Sequence, residues 1–245
     1  MGSRGERITN TASERDPFEE ATNLEGLTRS EQREEVRRLQ NDMGQTGYEA
    51  GDPDAPSRKK VYVKTSKAFD INYYLNTGKV GSPDSDWTRL GYSESDIKRD
   101  IAQIDNGMKP MSEDLLAYRY VSLRSASRIL GLSESELGRL KVAMASDPSM
   151  SSALRDVLQS TDYTQRAYTS LTYTKGHGTF DAYPVRFRVV VQQGTGAIMT
   201  NNHAEHEVLV QRNQHYNFTG DARIVREWST ARGENAAYLE IDVIL

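Results

Sequence analysis

Between Thr161 and Tyr168 the apolar pattern of the chain changes its period. Before that point apolar residues recur at helical spacing, as in Val36, Leu39 and Met43 or Ile97, Ile101 and Ile104. After it they come in short alternating or β-branched runs, at 168–173, 185–192, 207–210, 216–218, 222–228 and 238–245. Gly, Asn and Asp lie between these runs, as expected between antiparallel strands. A helical first part followed by a strand-rich second part predicts an α+β fold. The chain shows no internal repeat.

Within the first part the boundaries are legible from caps and breakers. Residues 1–26 are polar and charged without an apolar period, which predicts disorder. A helix is predicted over 28–43, with Thr28 as cap and Glu31 as its capping-box partner. Its three-residue apolar stripe is thin, so it is expected to dock weakly or to serve a partner. Residues 44–57 are rich in Gly, Pro and Asp and read as a linker. This divides the chain into a segment 1–57 and a folded domain 58–245. Further helices are predicted over 66–77, 93–106, 125–145 (with a restart at Ser133) and 149–161. A strand over 112–121 carries one arginine, Arg119.

Composition excludes several classes. With 245 residues and 36% hydrophobic content the chain can bury a core. No apolar run approaches the ~18 residues needed to span a bilayer. The start, MGSRGERITN, does not read as a secretory signal, so the expected location is the cytoplasm, or a target cell's cytoplasm after delivery by a dedicated system. The absence of cysteine excludes disulfides, thiolate metal sites and a cysteine nucleophile. Residues 1–56 hold 13 acidic and 7 basic side chains, whereas the remainder holds 22 and 24. A near-neutral body gives no electrostatic case for nucleic-acid binding.

Glu205 and Glu207 stand one residue apart before the apolar run Val208-Leu209-Val210. In an extended chain residues i and i+2 share a face, so two carboxylates would sit side by side. Such a pair is costly unless a cation or a cationic transition state uses it. Two other pieces precede it: Ala117-Tyr118-Arg119-Tyr120-Val121, and Ala167-Tyr168-Thr169-Ser170-Leu171-Thr172. The ordered set, with Arg212 beyond Val210, resembles the arginine-type mono-ADP-ribosyltransferases of the toxin and exoenzyme kind, over roughly 59–245. Leu171 and Thr172 depart from that family's Ser-Thr-Ser pattern.

The resemblance implies a pair of split antiparallel sheets with an N-terminal helical lobe and NAD in the cleft between them. It implies that Arg119, with Tyr120 beside it, binds the pyrophosphate, for which a guanidinium fork is suited. Ser170, with Thr172, would hold the nicotinamide pocket and orient the glutamate. Glu207 would stabilise the oxocarbenium-like charge as the nicotinamide–ribose bond breaks, and Glu205 would deprotonate the acceptor, an arginine in most Glu-x-Glu members. The loop 194–204 would be the substrate-recognition turn. The loop 175–183 would cover the nucleotide, with Phe180 or Tyr183 stacked on its ring. The implied partners are NAD, a macromolecular acceptor and an immunity protein.

The same residues admit rival readings. His203, His206 and His215 cluster in sequence, and a His203-x-x-His206 pair on a helix could bind zinc. Asn201-Asn202 before it and Val-Leu-Val after it argue for a turn and strand instead, so no metal is expected and His206 should point outward. No Gly-x-Ser-x-Gly elbow, dinucleotide glycine fingerprint or P-loop is present. Two alternatives stay open: a nucleic-acid acceptor for the same chemistry, and a non-catalytic interaction or virion protein on the same scaffold.

Overall fold

The computed structural model describes residues 16–45, 65–83, 91–176, 179–200 and 206–245, with the backbone alone for 65, 66, 179 and 180. Most of the expected linker, 46–57, lies outside the described residues.

Helices begin where the sequence supplies caps. The described helices are α1 (Pro17–Glu20), α2 (Arg29–Asp42), α3 (Thr65–Thr77), α4 (Glu94–Gly107), α5 (Leu123–Leu130), α6 (Glu134–Ser146) and α7 (Ser152–Ser160). Thr28, Ser93 and Ser133 each close a capping box, with Glu31, Asp96 and Glu136 respectively. Each cap satisfies amides that the first helical turn leaves without partners, a contribution of ~1 kcal/mol. Between α5 and α6 the chain turns through Gly131, whose φ of 66° is open to glycine. The predicted restart at Ser133 is therefore a new helix.

Among the described residues nine strands follow or intervene: β1 (Lys109–Pro110), β2 (Leu115–Val121), β3 (Tyr163–Gln165), β4 (Thr169–Thr172), β5 (Val185–Val191), β6 (Gly196–Met199), β7 (Glu207–Val210), β8 (Gln214–Ser229) and β9 (Glu234–Ile244). Their order is β1-β6-β7-β4-β2-β5-β9-β8-β3. All pairs are antiparallel except β5 with β9. The two halves of this order meet at one pairing, Tyr118 with Thr172, between β2 and β4. Past it β2 stays paired to β5 through Val121, while Thr169, Ser170 and Leu171 stay paired to β7. The sheet is therefore split, four strands on one side and five on the other, and the split opens between Arg119-Tyr120 and Ser170.

Alternation divides the core. One face carries Ala117, Leu171, Phe187, Val208 and Val210 into the main core with α5, α6 and α7. The other carries Tyr168, Ile198 and Leu209 against Ile71 of α3 and Ile97, Ile101 and Ile104 of α4. Leu116, Tyr118, Tyr120 and Tyr238 continue that second face beyond the split.

Three expectations are corrected. Disorder does not extend through residue 26: α1 is capped by Asp16, and Thr22 bridges to Leu115 on β2. The helix α2 is no weak appendage, because Val36, Leu39 and Met43 are buried in the main core. The first part of the expected recognition turn is a strand, since Gly196–Met199 pairs with β7 on one side and β1 on the other.

Candidate active site

Glu207 is the first residue of β7 and is 4% exposed. Its strand neighbours Val208 and Val210 enter the main core, which turns Glu207 and Leu209 toward the α3–α4 lobe. Register places Thr172 opposite Glu207 and Ser170 opposite Leu209. The Ser170 hydroxyl donates to Glu207 Oε1 at 2.6 Å. From the other side the Thr200 hydroxyl lies 3.4 Å from Oε2 and donates to the Glu207 carbonyl at 3.1 Å. Hydroxyl donors on both sides fix the aim of this buried carboxylate. Ser170 and Glu207, matched in sequence only by resemblance, are thus brought into contact.

The residue between the glutamates behaves otherwise than expected. His206 has φ 49°, in the left-handed region, where a side chain other than glycine is strained by ~1–3 kcal/mol unless its surroundings hold it. Its surroundings do. The imidazole stacks on Tyr173 with centroids 5.1 Å apart, and Nδ1 lies 2.5 Å from the Thr174 hydroxyl. The Tyr173 amide donates to the His206 carbonyl at 2.9 Å. Burial pushes the Tyr173 phenol up to about 12, so it stays neutral beneath the ring. His206 is therefore buried, not outward. The extended-chain premise behind placing Glu205 and Glu207 on one face fails at this residue; Glu205 itself lies outside the described residues, as does His203. His215 lies on the other side of the split, paired with Thr164 of β3, and its ring is 3.6 Å from Asp162, so His206 and His215 are separated.

Arg119 is half-buried on β2, and its guanidinium donates to the Tyr216 hydroxyl at 2.6 Å. That hydroxyl is also 3.2 Å from the Thr169 hydroxyl, so Tyr216 spans the opening between β2 and β4. Because Tyr118 shares a face with Thr172, Arg119 one residue on leaves by the opposite face from Ser170 and Glu207. Arg119 and the Ser170–Glu207 pair flank the same opening from its two faces. Tyr120 returns to the Glu207 face, where its hydroxyl accepts from the Gly176 amide at 3.2 Å and from Arg186 at 3.4 Å. Thr172 donates to the Thr174 carbonyl at 2.9 Å, not to the glutamate. Tyr183 is exposed, and the Phe180 side chain lies outside the described residues.

Several supporting groups carry no local signal in the sequence. Asp105, in the last turn of α4, accepts from both Nε and Nη2 of Arg212, at 3.1 and 2.8 Å, and from the Tyr168 hydroxyl at 2.5 Å. It joins the helical lobe to β4 and β7, at the end of that pair away from Glu207. The Asp105 bond raises the Arg212 pKa further, and burial with the Asp105 charge raises that of Tyr168. Beyond the split, Asp181 is fully buried and accepts from the Thr230 and Ala231 amides at 2.7 and 2.9 Å. It ties the end of the 175–183 loop to the tip of the β8–β9 hairpin. Among the described residues no group of three or more His, Asp or Glu is placed to hold a metal ion, and no helix is long and apolar enough to cross a membrane.

Comparison with known proteins places this arrangement. Among curated protein sequences none matches the chain. In solved structures the fold is similar to C3stau2 from S. aureus with NAD, at 17% identity and TM-score 0.62, over 91% of this chain and 97% of that one. It is similar to Plx2a, an ADP-ribosyltransferase toxin from Paenibacillus larvae, at 14% identity and TM-score 0.56, over 88% and 94%. The ADP-ribosylating toxin BECa of a C. perfringens binary enterotoxin, with NADH, matches at 16% identity and TM-score 0.59, over 88% of this chain and 48% of that one. At these identities the likeness is one of fold. The model of the ADP-ribosyltransferase exoenzyme family matches residues 58–244. With the split sheet and the hydroxyl-held glutamate, that match assigns the chain to the ADP-ribosyltransferase exoenzyme family, whose transfer reaction consumes NAD.

Proposed function

We propose that the protein is a toxin or effector that cleaves NAD at the nicotinamide–ribose bond and transfers ADP-ribose to an arginine side chain of a target protein. The observation that carries this reading is the 2.6 Å bond from Ser170 to the buried Glu207 at the mouth of the split sheet. A fixed carboxylate there suits the positive charge that develops on the ribose as nicotinamide departs. The solved structures of C3stau2 with NAD and of BECa with NADH support a nicotinamide nucleotide as the ligand of this fold.

In this reading Glu207 is the catalytic carboxylate and Ser170 fixes its orientation. Arg119, reaching the opening from the other face, supplies a guanidinium fork for the pyrophosphate. Tyr120 and Thr172 shape the pocket wall between them, and Tyr183 or Phe180 stacks on the nicotinamide ring. Glu205, on the turn, deprotonates the acceptor guanidinium. An arginine acceptor needs such a base, because its pKa lies above ~12 in water. Water reaching the same position gives NAD hydrolysis as a side reaction. No step is assigned to a metal. Residues 58–245 form the catalytic domain.

The test is incubation with labelled NAD and a cell lysate, followed by separate protease and nuclease digestion. Label lost with protease and retained with nuclease is expected. Glu207→Gln should abolish both transfer and nicotinamide release. Glu205→Gln should lose transfer and keep NAD cleavage. Label lost only with nuclease would move the acceptor to nucleic acid, and no nicotinamide release at all would leave a non-catalytic scaffold.

A further inference from the structure

The family match begins at residue 58, yet residues 16–45 are built into the site's frame. The outer edge of β6 is completed there by side chains. β1 pairs with Ala197 and Gly196, and among the described residues no strand covers the edge beyond them. Gln45, buried just past α2, donates to the Ala197 carbonyl at 2.7 Å and accepts from the Met199 amide at 3.0 Å. Gln40, buried on α2, donates to the Met199 carbonyl at 2.8 Å. Two primary amides thus reproduce the pairing that a tenth strand would make, which closes an edge otherwise open to water or to another chain.

The position of that edge gives it a role. Met199 is followed by Thr200, whose amide and hydroxyl both donate to the Glu207 carbonyl at 3.1 Å. In sequence Glu205 follows five residues later, outside the described residues, and β7 opens at Glu207. β6 therefore has the glutamate strand on its inner side and the two glutamines on its outer side. Two further contacts tie the same segment to this frame: Glu25 accepts from the Lys175 amide at 2.8 Å, and Thr22 bridges to β2.

We infer that Gln40 and Gln45 are positioning residues for the catalytic glutamates, and that the segment before the family domain is a working part of the transferase. This rests on the NAD-cleaving reading of the site above. Each amide fixes a backbone group of β6, which aims Glu207 through Thr200 and leads in sequence to Glu205. Loosening that strand misplaces the glutamates more than it alters nucleotide binding, because the NAD-facing groups Arg119 and Ser170 sit on other strands.

The experiment uses the full chain with Gln45→Ala, Gln45→Glu and the double variant Gln40→Ala/Gln45→Ala. Glutamate at 45 keeps the acceptor for the Met199 amide and loses the donor to Ala197, so it tests the contact at nearly constant size. Nicotinamide release, transfer to a protein acceptor and amide exchange are measured together. The double variant is expected to lose about 10-fold in kcat with KM for NAD changed less than about twofold. The ratio of transfer to hydrolysis should fall, and exchange at the Met199 and Thr200 amides should rise while that in β9 does not. Gln45→Glu should show the same signs to a smaller degree. Parent-like kcat and partition in the double variant would overturn the inference. So would a loss of kcat that only follows the folded fraction, with exchange raised everywhere. If the parent itself releases no nicotinamide, the reading of the site has failed instead.

Discussion

Ser170 is small, polar and exposed, and only its register makes it informative. It lies opposite Leu209, one cross-strand step from Glu207, on the face that Leu171 and Val208 leave when they enter the core. Alternation along β4 and β7 was readable from Leu171 and from Val-Leu-Val, so the side on which Ser170 and Glu207 meet was legible. Replacing Ser170 by Ala removes the 2.6 Å donor and leaves a buried carboxylate short of a partner. The expected outcome is a fall in kcat for nicotinamide release on the order of 10²-fold. The circular-dichroism spectrum should stay parent-like; an unchanged kcat would show that the bond does not serve the reaction. The relation of Glu205 to Glu207 was not legible. His206 takes the left-handed region that sequence associates with glycine or asparagine, and it does so because Tyr173 and Thr174, more than thirty positions away, hold its ring. No residue near it in sequence signals that.

At the scale of elements, helices were the readable part. Thr28, Ser93 and Ser133 announce their helices through caps and the acids three residues on. Glu207–Val210 was readable to the residue. The strands that escaped are short and are defined by their partners: Lys109–Pro110 and Tyr163–Gln165 have no period of their own, and Gly196–Met199 is a four-residue run between Gly194 and Asn201-Asn202, whose composition reads as loop. Conversely, two predicted strands, at 216–218 and 222–228, are one strand interrupted by a bulge between Phe218 and Ala222. The link between helical and strand elements at the site is Asp105. Asp105→Asn keeps the shape and removes the charge that Arg212 grips with two nitrogens. With both side chains about a third exposed, the cost should be about 1 kcal/mol or less. Amide exchange in α4 should accelerate while β9 is unchanged, read by mass spectrometry. Unaltered exchange in α4 would show that Asp105 does not couple the lobe to the sheet.

For the whole molecule, the α+β class followed from the change of period, and the split sheet followed from the family resemblance. The role of residues 16–45 followed from neither, since a polar segment with three apolar positions looks dispensable until its amides are seen against β6. Arg38 fastens the same segment through Glu113, which it contacts with two nitrogens, at 3.0 and 2.6 Å. The Arg38 bonds hold the Glu113 carboxyl below its ordinary 4.5 despite partial burial. A carboxyl whose folded pKa is depressed adds stability above its unfolded value and loses it as pH falls through the folded value. The gap in thermal midpoint between the parent and Glu113→Gln should therefore be full at neutral pH and close as the pH drops below 4.5. A gap that stays constant into acid would refute the linkage. The place of β9 has a further consequence for how such a chain comes into being. Residues Glu234–Ile244 lie between β5 and β8, at the middle of the larger half-sheet, and β5 has no other partner on that side. On the ribosome, the edge of β5 that β9 covers stays open until residue 244 has emerged. Completion of this half-sheet is then a late event dominated by distant pairings, which is slow, and until then that edge offers its amides and carbonyls to any other extended chain.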